Sequence, residues 1–268
     1  MTTPESATRA FFSFPRVDVP ARHRDYNEWH QLDHLPQNLA LPGVVHGDRW
    51  VRSPDCVAAE SSPDALLGSA HYVAMYWFAE PATASIAEWT ALGDTTQQQG
   101  RRPELRWTTR TALGMFCPVR GYVRADRRIT PAALPFRPHR GVHLTVSTVA
   151  DPTGAAAQDL FQFYDMVRIP QLLTLPGVAG VWTFRSVAVR GPDGPLLDEK
   201  SVLRVTLCYL ESDPVSFAAE LRAAERDRAV ALPGADFEGV EKLRLRSPLR
   251  SIVPWEWNWF DTAEDLQP

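Results

Sequence analysis

Lysine is nearly missing from this chain. Only Lys200 and Lys242 stand among 28 basic residues, the rest being arginine, and the formal net charge is −4. That balance supplies no bulk positive field to hold nucleic acid or anionic lipid, and the arginine bias itself reads as base composition of the source. Cysteine is scarce too. Cys56, Cys117 and Cys208 are widely spaced and form no C-x-x-C pair, which excludes a disulfide framework or a cysteine-based zinc motif. No apolar run reaches the roughly 18–20 residues that span a bilayer, so no membrane association is expected. The opening MTTPESATRAFF lacks the basic and apolar segments of a signal peptide, so a reducing, cytoplasmic location is expected. P-loop, G-x-G-x-x-G and nucleophile-elbow motifs are also absent, which argues against nucleotide-dependent and serine-hydrolase chemistry.

What is present is ordinary for a globular protein: 268 residues, 44% apolar and 22% charged, enough for a buried core. The informative stretch is 26–44, YNEWHQLDHLPQNLALPGV. It recurs at 160–178 as LFQFYDMVRIPQLLTLPGV, with Gly43 aligned to Gly177, 134 residues on. The second copy keeps the Pro, Gln, Leu and Leu-Pro-Gly-Val scaffold but has Tyr164, Val167 and Arg168 where the first has His30, Asp33 and His34. A shared scaffold with the ionisable cluster in one copy implies one working half and one structural half.

At about 100° per residue, Trp29, Leu32 and Pro36 form an apolar stripe expected to face the core. His30 and His34, four apart, are neighbours on the flank, with Asp33 at the core boundary. A carboxylate there is costly unless it is paired, and an imidazole would satisfy it. Pro36 disfavours helix at Leu35, so the helix is expected to end there. His34 would then sit in a last turn whose dipole favours the protonated imidazole.

In chain order the pattern predicts strands at 10–17, 46–52, 70–78 and 105–116, with helices at 26–35 and 82–97 and a polar loop at 53–68. This is the β-α-β-β-α-β order of a ferredoxin-like unit. Residues 119–139, rich in proline and arginine, read as a linker. The order then repeats, with strands at 143–149, 179–186, 202–210 and 243–253 and helices at 155–174 and after Asp213. Pro248 marks an edge or bulge. Thus 1–118 forms one half carrying the site and 140–268 a structural second half. The tryptophan-rich end of the chain is expected to dock on this chain or on a partner.

The helix carrying Trp29, His34 and Pro36, followed by Leu41-Pro42-Gly43 and a strand, resembles the EthD-like branch of the dimeric α/β-barrel superfamily. The resemblance implies an α+β fold in which two ferredoxin-like repeats of one chain close an α/β barrel, in a monomer or homodimer. It also implies a small-molecule enzyme acting on an aromatic or polyketide-like compound by dehydration, cyclisation or isomerisation, without metal or organic cofactor. Haem binding, cofactor-free monooxygenation and non-catalytic ligand binding are the alternatives it leaves. Arg168 at the histidine position speaks against a second equivalent site.

The chemistry expected is acid–base. Imidazole titrates near neutral pH, so His34 is the proton-transfer candidate, oriented by Asp33 or His30. Tyr26, Trp29, Phe12, Phe14, Tyr76, Trp77 and Trp107 are candidate walls, of which about half must face away, because strand side chains alternate. Arg49, His71 and His143 are candidate oxygen binders, each with a structural role as the commoner outcome. The run His30-Gln31-Leu32-Asp33-His34 reads H-x-x-D-H, one substitution from a zinc motif, but the missing glutamate makes a metal site an outside expectation.

Overall fold

A computed structural model describes residues 7–60, 62–102 and 105–261. The first half runs β1 (Ala7–Val17), α1 (His23–Trp29), α2 (Leu35–Leu39), β2 (Val44–Val51), α3 (Pro54–Ala59), β3 (Tyr72–Ala79), α4 (Ala82–Gln98) and β4 (Thr108–Val123). The second runs β5 (Gly141–Ala150), α5 (Ala155–Phe163), α6 (Ile169–Thr174), β6 (Val178–Gly191), β7 (Gly194–Pro195), β8 (Ser201–Leu210), α7 (Pro214–Arg226) and β9 (Glu241–Ser251). The fold is α+β. One large antiparallel sheet has the order β4-β1-β3-β2-β9-β5-β8-β6-β7, and β4 also pairs with β6, so the sheet closes on itself.

The two seams between the halves differ. β4 and β6 pair from Leu113 to Val123 against Gly180 to Arg190. β2 and β9 meet only at Trp50 with Ser251 and Val51 with Arg250. Pro248 therefore lies where β9 has no partner on its β2 side, a place where a missing N–H costs nothing.

Strand alternation sorts the core. Phe12, Phe14, Trp50, Met75, Trp77, Phe116, Phe184 and Val205 point inward and fill the barrel. Their neighbours point outward, under the helices. Outside the second half, α5, α6 and α7 cover the sheet with one cluster of thirteen buried residues, including Val181, Leu210 and Phe217. Outside the first half, among the described residues, there are two clusters of four, around Tyr26 and Tyr72 and around Leu35 and Tyr76. The space between those clusters is a cavity.

Several boundaries differ from the sequence expectation. Residues 105–107 form a 3-10 turn, and β4 runs on to Val123 because its far half pairs with β6. The segment after Val123 is itself ordered: a 3-10 turn at Pro131–Phe136 buries Leu134, and Trp182 Nε1 donates to the Pro131 carbonyl at 2.9 Å. The supposed loop 53–68 contains α3, with Cys56 buried beneath it. The aromatic end of the chain docks on the chain itself. Phe260 stacks on His23 with centroids 3.8 Å apart, and Asp261 pairs with Arg24.

Pro36 does not stop the helix. His30–His34 is a π turn, with the Leu35 N–H bonded to the His30 carbonyl, and α1 runs through it into α2. The extra residue per turn relieves the clash that proline makes with the preceding turn of a regular helix. Tyr164–Arg168 forms the same turn before Pro170. The carbonyls of Gly43 and Gly177 each accept from the end of the neighbouring strand, from the Ala79 N–H that closes β3 and the Glu211 N–H just past β8, although only Gly177 of the two has a positive φ, 77°.

Candidate functional site

The π turn also changes which side of the helix is buried. The expected stripe of Trp29, Leu32 and Pro36 is not the inner face: Leu32 is 40% exposed, and Pro36 is exposed as well. The buried residues are His23, Tyr26, Asn27 and His30, then Leu35 and Asn38. A helix that buries histidine, tyrosine and asparagine is covering polar partners or a cavity, and this one does both. Asn27 Nδ2 donates to the Tyr72 hydroxyl at 2.9 Å and Asn38 Nδ2 to the Tyr76 hydroxyl at 3.3 Å.

The cavity holds about 290 Å³ between the outer face of β1, β3 and β4 and the helices α1, α2 and α4. Aromatic walls come from Phe11, Tyr26, Trp29, Tyr76 and Trp89, and polar groups from His30, His34, Asn38, Asp94, Arg102, Arg110 and Arg190. His34 stacks on Trp29 at 4.7 Å and 22°, and His30 meets it edge-on at 4.9 Å. His30 is 4% exposed and its Nδ1 has no hydrogen-bond partner.

Electrostatics here run against the dipole expectation. His34 lies inside a continuous helix, not at its end. Burial, then the charges of Arg102, Arg110 and Arg49, push its pKa down to about 3. Burial and Arg49 likewise hold His30 well below the ordinary imidazole range. Both rings are neutral at pH 7. Tyr76 is raised above its usual value by burial, against the hydrogen bond from Asn38, so it stays a phenol.

The expected site residues divide into groups. Tyr26, Trp29, His30, His34 and Tyr76 line the cavity together. Asp33 does not orient an imidazole; it pairs with Arg101 on the outer side of the helix. Phe12, Phe14 and Trp77 are barrel interior, because they occupy the inward parity of β1 and β3. Trp107 packs edge-on to Tyr26 at 6.1 Å, outside the cavity. The ring of His71 accepts from the Val17 N–H at 3.1 Å and packs on Phe260. Its pKa is lowered to about 4 by burial and the nearby Arg16 and Arg52. Arg49 is 1% exposed behind the cavity wall, against the Tyr26 and Tyr72 rings at 4.8 and 4.4 Å. His143 lies in the other half, 3.0 Å from Glu60.

Sequence reasoning missed Phe11, Asn38, Trp89, Asp94, Arg102, Arg110 and Arg190. The parity of β1 offered a signal for Phe11, since a one-residue shift exchanges the two faces. The arginine-rich run 101–110 offered one for Arg102 and Arg110. Nothing marked Arg190, which arrives from the second half through the β4–β6 seam, Leu113 pairing with Arg190.

No group of three metal-ligating side chains is found among the described residues, and the pairing of Asp33 with Arg101 dismantles the H-x-x-D-H reading. No family model matches the chain, and no curated protein is recognisably similar in sequence. Among solved structures, the chain is similar to an anthrone oxidase-like protein, with TM-score 0.51 and 11% identity over 94% of each chain. A candidate chlorite dismutase (TM-score 0.48, 10% identity, 95% of this chain and 98% of that one) and a candidate monooxygenase from Lactobacillus acidophilus (0.44, 10%, 90% and 93%) are more distant in structure. At such identities the likeness is one of fold alone. The chain shares the fold of that anthrone oxidase-like protein, with its antiparallel sheet closed by strands of a single chain.

Proposed function

We propose that this protein is a small-molecule enzyme whose site is the cavity beneath α1, with His34 as the proton-transfer residue and His30 beside it. We also read the matching π turns and strand order as a tandem duplication, of which the first half works and the second is structural. The observation that carries the functional reading is the pair of neutral, touching imidazoles in an aromatic-walled cavity, His30 Nδ1 being left without a partner. A buried polar atom with no partner costs about 1–3 kcal/mol, a cost that a bound substrate would remove.

A neutral imidazole accepts a proton from a carbon or hydroxyl and returns it at a second position, which is the work of a dehydration, cyclisation or isomerisation. The walls of Phe11, Trp29 and Trp89 suit an aromatic or polyketide-like body of one or two rings. At about 290 Å³ the cavity sits just under the roughly 300–1,000 Å³ usual for ligand pockets.

Our reading takes the site as one that works without haem. A metal-ligating histidine generally donates its second ring nitrogen to a carboxylate or carbonyl. Neither His30 nor His34 has a carboxylate partner among the described residues, and the adjacent Asp33 is taken by Arg101.

The test is solvent-deuterium uptake at the α-carbon of aromatic ketones and keto acids, followed by NMR. His34→Ala should slow exchange about 10²–10⁴-fold, the usual contribution of a positioned acid–base group, while Arg168→Ala leaves it nearly unchanged. Equal losses from both variants would show that both halves work. Absence of catalysed exchange across the series would favour a binding protein.

A further inference from the structure

Two of the chain's cavities lie at corresponding places, and their charges are managed differently. The second, of about 260 Å³, lies under α6 and α7 and is lined by His143, Arg168, Glu241 and Arg246 among others. Its charges are cancelled internally. Arg168 reaches Glu225 at 2.8 Å, Arg246 reaches Glu225 at 2.9 Å and Glu60 at 2.8 Å, and His143 reaches Glu60 at 3.0 Å. Glu241 accepts from the Tyr164 hydroxyl at 2.8 Å.

The first cavity has no such arrangement. Arg102, Arg110 and Arg190 line it with one carboxylate, Asp94. None of the three guanidinium groups makes a hydrogen bond or ion pair with another described residue. Behind the wall, Arg49 is fully buried and all three of its guanidinium nitrogens lack hydrogen-bond partners. Arg49 lies against the Tyr26 and Tyr72 rings, while Arg102 is half-buried and Arg110 and Arg190 are exposed, so this half presents uncancelled positive charge around its cavity where its counterpart cancels it.

We propose that the first cavity takes a substrate bearing a carboxylate on an aromatic or enolic body. The acid group is held by Arg102, Arg110 and Arg190, the ring lies among Phe11, Trp29 and Trp89, and the reacting carbon sits at His34. This rests on the reading of the cavity as the active site and adds the substrate class. Guanidinium groups match the planar carboxylate in a two-point fork. A phosphate site would add backbone N–H groups at a helix N-terminus. The cavity residues of α4, Trp89 to Asp94, and those of the π turn all lie inside helices.

The arrangement also couples binding to chemistry. Burial disfavours a proton on His34 most, the charges of Arg102, Arg110 and Arg49 add to it, and Asp94 is the one opposing carboxylate in the lining. A bound carboxylate offsets those charges, so His34 becomes a stronger base once the substrate is seated.

The test is titration of the intact protein with 2-naphthoate, 2-naphthamide and inorganic phosphate at pH 7, read by calorimetry and by the fluorescence of Trp29 and Trp89. The acid should bind at least about tenfold tighter than the amide, equivalent to about 1.4 kcal/mol. The Arg102→Gln/Arg110→Gln variant should bring the acid down to the level of the amide and leave the amide unchanged. Asp94→Asn should tighten the acid several-fold, a gain that misfolding does not produce. Equal affinities for acid and amide, or a preference that survives the arginine changes, would overturn the proposal, as would phosphate competing as strongly as naphthoate. Acid binding through the arginines together with uncatalysed deuterium exchange would leave the clamp standing and remove the acid–base reading. Binding of neither naphthyl ligand would remove both.

Discussion

His34 and Arg168 close the two π turns at corresponding positions, 134 residues apart, and meet opposite surroundings. Arg168 is tied to Glu225 at 2.8 Å with both side chains under a tenth exposed, and it also donates to the Ala231 carbonyl at 2.6 Å. His34 stacks on Trp29 and faces the cavity. One position is fastened and the other is open, which is the contrast expected between a structural residue and a working one.

That contrast gives a stability prediction. Breaking a buried ion pair by removing one partner typically costs about 3–5 kcal/mol. Arg168→Met should sit near the lower figure, because Glu225 keeps Arg246. His34→Gln, which breaks no ion pair, should stay within about 1 kcal/mol. Urea denaturation of the two variants checks the ordering, and a larger loss from His34→Gln would refute it.

Acid should destabilise the fold early. His23 and His34 are lowered to about 3 and His71 to about 4, each chiefly by burial, and His30 lies well below the ordinary range. The unfolded chain binds protons at these imidazoles near pH 6.5, while the folded one does not. Their contribution is fully present above pH 6.5 and is lost as pH falls through the folded values near 4 and 3. The Tm should decline steadily from pH 7 to pH 4, with a shallower slope in His23→Gln. A Tm that holds level over that interval would show that these rings are not buried neutral.

Neighbouring phenylalanines on β1 should separate stability from binding. Phe12 is fully buried in the barrel, edge-on to Phe116 and Phe184 at 5.0 Å. Phe12→Ala should cost about 3–5 kcal/mol, as for large core truncations. Phe11 is half-buried on the cavity wall against Trp89 at 4.8 Å. Phe11→Ala should weaken 2-naphthoate binding and cost less stability. If the costs are reversed, the assignment of inner and outer faces is wrong.

Much of this fold was legible because β-rich runs and Leu-Pro-Gly turns recur at one spacing, and the β-forming residues of Phe11 to Phe14 or Tyr72 to Phe78 identify strands without saying which face is inward. That choice is tertiary. Phe12, Phe14 and Trp77 went to the barrel, while Phe11, Ala74 and Tyr76 reached the cavity. The helix was misread for a related reason. Hydrophobic periodicity assumes that a buried face is apolar and that a turn holds 3.6 residues. Here a π turn shifts the phase, and the inner face carries histidine, tyrosine and asparagine because it covers a cavity. His30 and His34 were identified by their absence from the second copy. Asp33 was not seen to turn away, since its partner Arg101 lies 68 residues on. Arg190 comes from the other half and carries no local mark.

The most direct test is an NMR titration of the His34 ring, assigned by comparison with His34→Gln, in the free protein and with saturating 2-naphthoate. The free imidazole should titrate far below the ordinary 6.5, held down by burial and by Arg102, Arg110 and Arg49, and the bound carboxylate should move it upward. An ordinary value near 6.5, unchanged by the ligand, would contradict both the buried neutral base and its coupling to an anionic substrate.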